Sequence, residues 1–286
     1  FIYIIQGNMF KKKHQITKKM FLNTMFVLVI AELTGAITCL IDGLITSRFL
    51  GNNAMAAFGI CNTYFSVVSI ISGILLVGCQ SLCVNSLSRG NKEDTNRVVT
   101  ISTLFGVLVS IVIAGIFIIF PGFLAKLFGA KEDAVDVFNL IKSYLRMVAI
   151  GAPFWVLNVA LTPIIQLDGG GNRAKLASIV SAFADIILDL VFGVWLKLGM
   201  AGMGLATAIS HIIGGIIVFS YFFSKKSNIK LSFKKLSFSK ITIKNGILNK
   251  NAIVAFIIGG LIGAFGNFLV EFYSYAFDNN TWANFT

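Results

Sequence analysis

Asp42 and Asp189 lie in stretches, 21–46 and 176–198, whose other residues are almost all Ile, Leu, Val, Phe, Ala and Gly. An ionised carboxylate at bilayer depth costs at least about 2.5–3.5 kcal/mol, so such residues usually face a water-filled cavity and mark an ion or proton pathway. For Asp42 the structural alternative is a hydrogen bond to Thr38 or Thr46. Glu32 precedes Asp42 by ten residues, about 15 Å along a helix, where it could line an inner vestibule or form an interhelical bond. His211 could relay protons or sit packed, donating to a backbone carbonyl. Asn62, Asn85, Asn158, Gln80 and Gln166 are polar groups for interhelical hydrogen bonds or substrate contacts. Phe65, Phe154 and Trp155 offer faces to aromatic or cationic ligands, and Arg146 would snorkel or pair with an acid.

The elements that must hold these residues are membrane helices. Of 286 residues 56% are apolar and 13% charged, with a mean hydropathy of +0.85, whereas soluble domains carry about 25% charged residues. A span needs roughly 20 apolar residues, and seven stretches qualify: 21–46, 57–87, 98–120, 139–167, 176–198, 203–223 and 252–277. An all-α polytopic membrane protein is expected, because a helix satisfies its own backbone and alternating barrel-type segments are absent. Pro153 and Pro163 bracket a stretch of the fourth span where a bend is expected.

Charge sets the orientation. Eighteen of the 24 Lys and Arg residues fall in the N-terminal arm and the loops after spans two, four and six; five fall in the alternate loops. The positive-inside rule then places the N-terminus in the cytoplasm of a plasma membrane, of the bacterial inner-membrane type. The chain divides into a basic arm (1–20), a six-helix lobe (21–223), a basic linker (224–251) and a seventh helix with its tail (252–286). The net charge of +12 has this topological explanation and requires no nucleic acid. The linker lacks any acid, so it either lies on anionic headgroups of membrane lipids or is solvated between two bundles.

Catalysis finds no support in these residues. Cys39, Cys61, Cys79 and Cys83 lack zinc or disulfide spacing, and two histidines without a paired-His or His-Glu helix motif supply no metal set or nucleophile-base pair. The chain is read as a non-enzyme with neither metal nor cofactor. Gly169–Gly171 follow no strand, so they form a tight turn and not a nucleotide cradle. The sequons at 279–281 and 284–286 are of a kind that asparagine-rich chains make by accident.

The chain repeats itself weakly. Residues 47–58, at the outer end of span one, align without a gap on 274–285, at the outer end of span seven, with five of twelve identical. Parallel repeats about an axis along the membrane normal are a known transporter plan. On that plan the chain holds one six-helix half and the first helix of the second, a truncated two-lobe transporter. Because Phe1 opens the chain and Met9 precedes the basic arm, the native start is expected to differ.

Leu40-Ile41-Asp42-Gly43-Leu44-Ile45, then Phe49-Leu50-Gly51 and Ala56-Ala57, resemble the first-helix signature of the multidrug and toxic compound extrusion (MATE) transporters. The resemblance continues in Ser88-Arg89-Gly90-Asn91-Lys92-Glu93-Asp94, a glycine-asparagine turn followed by an acidic helix start. It runs on through Asp168-Gly169-Gly170-Gly171-Asn172-Arg173, through Asp185-Ile186-Ile187-Leu188-Asp189, and through Gly202-Met203-Gly204-Leu205-Ala206-Thr207-Ala208-Ile209-Ser210. The family implies twelve helices in two six-helix lobes, exporting cationic amphiphiles or drugs in exchange for protons or sodium. It implies coupling roles for Asp42 and Asp189. Where many relatives have Asn, this chain has Asp185; one helix turn from Asp189, it would point into the same cavity. Three carboxyls clustered in low dielectric cannot all ionise, so at least one keeps its proton at neutral pH. The branch with an acid early in span seven fits poorly, since the acid there, Glu271, comes late.

The expected mechanism is alternating occupancy. Deprotonation of the Asp42, Asp185 and Asp189 cluster toward one side leaves negative charge for a cationic small molecule or sodium ion, and reprotonation from the other side releases it. Asn158, His211 and Glu32 are expected as cavity or relay residues, and the missing second lobe as a partner. Two other readings are a lipid-linked saccharide flippase, which would favour basic cavity residues, and an inert fragment.

Overall fold

The computed structural model describes residues 29–231, with Leu22, Met25 and Phe26 ahead of them; within the second helix the side chains of 70, 71, 74–79, 81 and 82 are outside the description. The basic arm, the linker from 232, the seventh span with Glu271 and the repeat partner at 274–285 lie outside the described residues.

Apolar helices follow one another with short turns: α1 (Val29–Leu50), α2 (Asn52–Ser88), α3 (Lys92–Ile119), α4 (Pro121–Leu127), α5 (Val135–Val148), α6 (Ala152–Leu167), α7 (Gly171–Leu188) and α8 (Gly199–Ser220), with no strand among the described residues. By length and apolar composition α1, α3, α5–α6 taken together, α7 and α8 can each cross a membrane. At 37 residues α2 is longer than any of these. These six correspond in order to the first six expected spans.

Local chemistry explains several boundaries. Gly90 turns the chain out of α2 with φ +69°. Asn91 then caps α3, its Oδ1 accepting the Asp94 N–H at 3.1 Å while its Nδ2 donates to Asp94 Oδ2 at 2.6 Å; Glu93 and Asp94 also complement the helix dipole. The expected glycine-asparagine turn and acidic helix start are thus both present. The short α4, between the third and fourth expected spans, starts with Pro121 at its first turn, where a missing N–H costs nothing. The departure from α-helix falls just outside the Pro153–Pro163 stretch where a bend is expected. A 3-10 turn, Ala149–Gly151, separates α5 from α6 just before Pro153, and Pro163 lies inside a continuous α6.

The core positions α8 centrally, against α5, α6 and α7. A Cβ on Gly204 would lie 2.6 Å from the Tyr144 carbonyl oxygen, and one on Gly151 would lie 2.6 Å from Ala208 Cα. Small residues therefore let these backbones approach closely, as membrane helix packing requires. One buried apolar cluster gathers Phe58, Tyr64, Phe117, Tyr144 and Met203; a second gathers Leu161, Ile164, Ile165, Tyr221 and Phe222. Outside, Leu40, Leu44, Leu108, Val112, Ile119, Phe183 and Ile187 are exposed. Apolar surface outward and carboxyls inward is the arrangement of a lipid-facing bundle.

Candidate functional site

Between α1, α2, α6, α7 and α8 lies a cavity of about 450 Å³, within the range of small-molecule pockets. Helix α1 supplies Thr34, Thr38, Cys39 and Asp42; α2 supplies Phe58, Asn62 and Phe65; α6 supplies Trp155 and Asn158; α7 supplies Ser178, Ser181 and Asp185; α8 supplies Thr207, Ser210 and His211. Among the described residues no Lys or Arg lines it.

Its hydroxyls are largely committed to their own helices. Thr38 donates to the Thr34 carbonyl at 2.9 Å, and Ser181 to the Ala177 carbonyl at 2.7 Å. The carboxyls lack such partners: no donor from the described residues reaches Asp42 Oδ1, Asp185 Oδ1 or either oxygen of Asp189. Asp42 and Asp189 themselves lie within hydrogen-bonding range of one another. Two ionised carboxylates are both acceptors, so that contact closes only when one carries a proton. Asp185 lies within reach of the Thr207 and Ser210 hydroxyls. Each has one proton to give, either to Asp185 or to the helix carbonyl it otherwise bonds, Met203 at 3.1 Å and Thr207 at 2.8 Å respectively.

The placement corrects several expectations. Asp185 and Asp42 line the cavity, but Asp189 does not: it is fully buried one turn further along α7, against Asp42. Neither proposed hydroxyl anchors Asp42, because Thr38 donates to its own helix and the buried Thr46 Oγ1 has no partner. Glu32 is exposed and lies off the cavity, while its neighbours Ala31 and Thr34 line it. The helical rotation between adjacent positions turns it outward. Arg146 is exposed, and among the described residues no ion pair joins it to these acids; Lys126 pairs with Glu132 at 2.6 Å. Phe154 packs on Gly215 of α8, away from the cavity.

Asn158 and His211 do line it. Asn158 Oδ1 accepts from Thr162 at 3.0 Å. His211 stacks on Trp155, centroids 5.3 Å apart and planes 8° from parallel, and Phe65 meets Trp155 edge-on at 5.5 Å. Its Nε2 is buried without a partner, so this nitrogen does not make the expected carbonyl bond. Thr207, Ser210 and Phe58 were not singled out from sequence. The first two sat in view, three residues apart on the segment opening α8, but hydroxyls on an apolar helix usually bond their own carbonyls and carry no distinguishing signal.

Both acid-bearing helices widen beside the acids. A π-helical turn, Thr46–Leu50, follows Asp42 on α1, and another, Asp189–Trp195, begins at Asp189; the two turns touch. Such turns are frequent at functional sites.

Comparison with known proteins identifies the family and the fold. The MatE family model matches residues 27–195. The multidrug export protein MepA of Staphylococcus aureus is 22% identical over 260 residues, covering 85% of this chain and 56% of MepA; the chain thus spans little more than half the length of this relative. A crystal structure of MATE in the bent conformation superposes with a TM-score of 0.71 at 25% identity, covering 81% of this chain and 51% of that one. The outward-facing conformation of a multidrug resistance MATE family transporter of the MOP superfamily superposes at 0.74 and 23% identity, covering 84% and 53%.

Proposed function

The chain belongs to the MatE family of multi-pass membrane transporters, and we propose that it forms the first lobe of an exporter that moves cationic amphiphiles outward in exchange for a proton or sodium ion. The observation that carries this reading is the cavity, which combines Asp42 and Asp185 with the rings of Phe58, Phe65 and Trp155 and is lined by no Lys or Arg among the described residues. Carboxyls attract a cation, and aromatic faces add cation–π contact with its apolar body. The name of the Staphylococcus relative, a multidrug export protein, supports the same class of cargo.

Coupling follows from competition for one charge. With Asp42 and Asp189 sharing a proton, the pair carries a single negative charge; losing that proton makes room for a cation, and regaining it expels the cation. Asp189, away from the cavity wall, would serve the coupling ion, while Asp42 and Asp185 meet the cargo. Alternating access requires a second lobe to rock against this one.

The test is transport of a fluorescent lipophilic cation into proteoliposomes carrying the full-length protein, under an imposed proton or sodium gradient. Asp42→Asn and Asp189→Asn should each reduce gradient-driven transport at least tenfold. Unchanged transport with unchanged coupling would sink the mechanism. A flippase for lipid-linked pyrophosphates is disfavoured, because its cargo would meet two carboxyls and, among the described residues, no Lys or Arg.

A further inference from the structure

The chain leaving α8 does not hang free of the lobe. After the 3-10 turn Tyr221–Phe223, residues 224–231 lie back across the adjoining ends of α3, α6 and α7 as an irregular strap. Its anchor is Asp168, in the turn between α6 and α7. The Asn228 N–H donates to Asp168 Oδ2 at 2.9 Å and the Ile229 N–H to the same oxygen at 3.3 Å. Asn228 Nδ2 donates to Oδ1 at 3.1 Å, and the Ser227 hydroxyl lies 3.1 Å from Oδ2. The Asp168 backbone carbonyl accepts the Tyr221 hydroxyl at 2.9 Å, and Asn96 on α3 accepts the Lys230 N–H at 2.8 Å.

Packing seals these bonds. Ser227 and Ile229 are 5% and 2% exposed, and Ile229 joins the buried cluster of Leu161, Ile164, Tyr221 and Phe222. Gly170 admits the Tyr221 ring, which a Cβ there would meet at 2.7 Å. A carboxylate that takes several backbone and side-chain donors from one segment holds that segment in a single conformation, and hydrogen bonds to a charged acceptor are the stronger kind.

We infer that Asp168 is a positioning residue that clasps the root of the interlobe connection to the lobe. The tether to the second lobe then departs from Leu231, over the α3–α6–α7 end, and not from the end of α8. Motion of the second lobe is delivered through the clasp to α6 and α7, which carry Trp155, Asn158, Asp185 and Asp189. That consequence rests on the two-lobe reading; the clasp itself does not.

Hydrogen exchange on the purified full-length protein in detergent tests the clasp without any transport assay. In the parent the amides of Asn228, Ile229 and Lys230 are protected. Asp168→Ala should speed exchange at Asn228 and Ile229 at least tenfold while α8 keeps its protection, and Asn96→Ala should release Lys230 alone. Parent amides that exchange at once, or a D168A protein with unchanged exchange, would overturn the inference. Should D168A fail to fold, an Asp168→Cys/Asn228→Cys double variant in an otherwise cysteine-free protein replaces the clasp by a disulfide, formed with copper phenanthroline and opened with dithiothreitol. In proteoliposomes the oxidised form should export at the rate of the same cysteine-free protein with Asp168 and Asn228 intact, and the reduced form several-fold more slowly, reversing on reoxidation. Equal rates in both states overturn the functional half. A parent that exports nothing sinks the transport reading instead, and the exchange data alone then decide the clasp.

Discussion

Asp42, Asp185 and Asp189 differ in what surrounds them, and their substitutions should differ accordingly. Asp185 has two hydroxyls in reach and stands where many relatives of the resembled family carry Asn, so Asp185→Asn should keep at least about half of the export rate. Among the described residues Asp189 has Asp42 alone to share a proton with; its Asn variant loses the titrating group and with it the coupling. Measuring export against the imposed gradient for both variants separates the roles, and an equal loss would contradict the assignment. Trp155 stacks on His211 and presents a face to the cavity. Trp155→Ala should raise the KM for a lipophilic cation about 2- to 30-fold, the equivalent of a cation–π contact of roughly 0.5–2 kcal/mol, with kcat little changed.

Helices α1 and α8 show how elements carry the site. On α1, Thr34 and Thr38 return their protons to carbonyls four residues back, but Thr46 opens a π turn, where the backbone spacing changes, and its hydroxyl is left alone. Thus the wide turn places one more unpaired oxygen on the helix face of Asp42, one turn away. On α8, close approach is the controlling fact. Gly204→Ala would push a methyl into the Tyr144 backbone and should cost about 1–3 kcal/mol by overpacking, read as a lowered melting temperature in detergent. Asn91→Ala removes the α3 cap at a cost of about 1 kcal/mol. It should lower the melting temperature by a smaller step and leave transport intact, since the cap lies away from the cavity; a loss of transport with unchanged stability would refute that separation.

At the scale of the molecule, the described lobe exposes large apolar side chains on its perimeter and keeps its unpaired carboxyls inside. This inverts a soluble protein's surface and suits a hydrocarbon solvent. Because basic residues alternate in density from loop to loop, a cysteine at Lys92 should label with an impermeant maleimide only after the membrane is opened, and one at Lys131 should label from outside in intact cells. The opposite pattern would reverse the orientation. On the two-lobe reading proposed above, alternating access belongs to a pair of lobes; the chain spans little more than half of the relative it matches.

The sequence alone determined the helical class, the order of the first six spans and the placing of Asp42 inside a span, because apolar run length and a charge inside such a run are local properties that bilayer energetics read directly. The glycine turn at 169–171 and the Asn91 helix start were legible for the same reason. Tertiary structure decided the rest. It turned Glu32 outward, drew Asp189 behind the cavity wall, stacked His211 on Trp155 and brought Thr207 and Ser210 to Asp185. Those outcomes depend on helix rotation, on π turns that shift the register, and on close approaches permitted by glycine, none of which has a local signature. The strap over Asp168 is the clearest case. A run rich in lysine reads as solvated or lipid-bound until the fold places an acceptor, 60 residues earlier in the chain, beneath its backbone N–H groups.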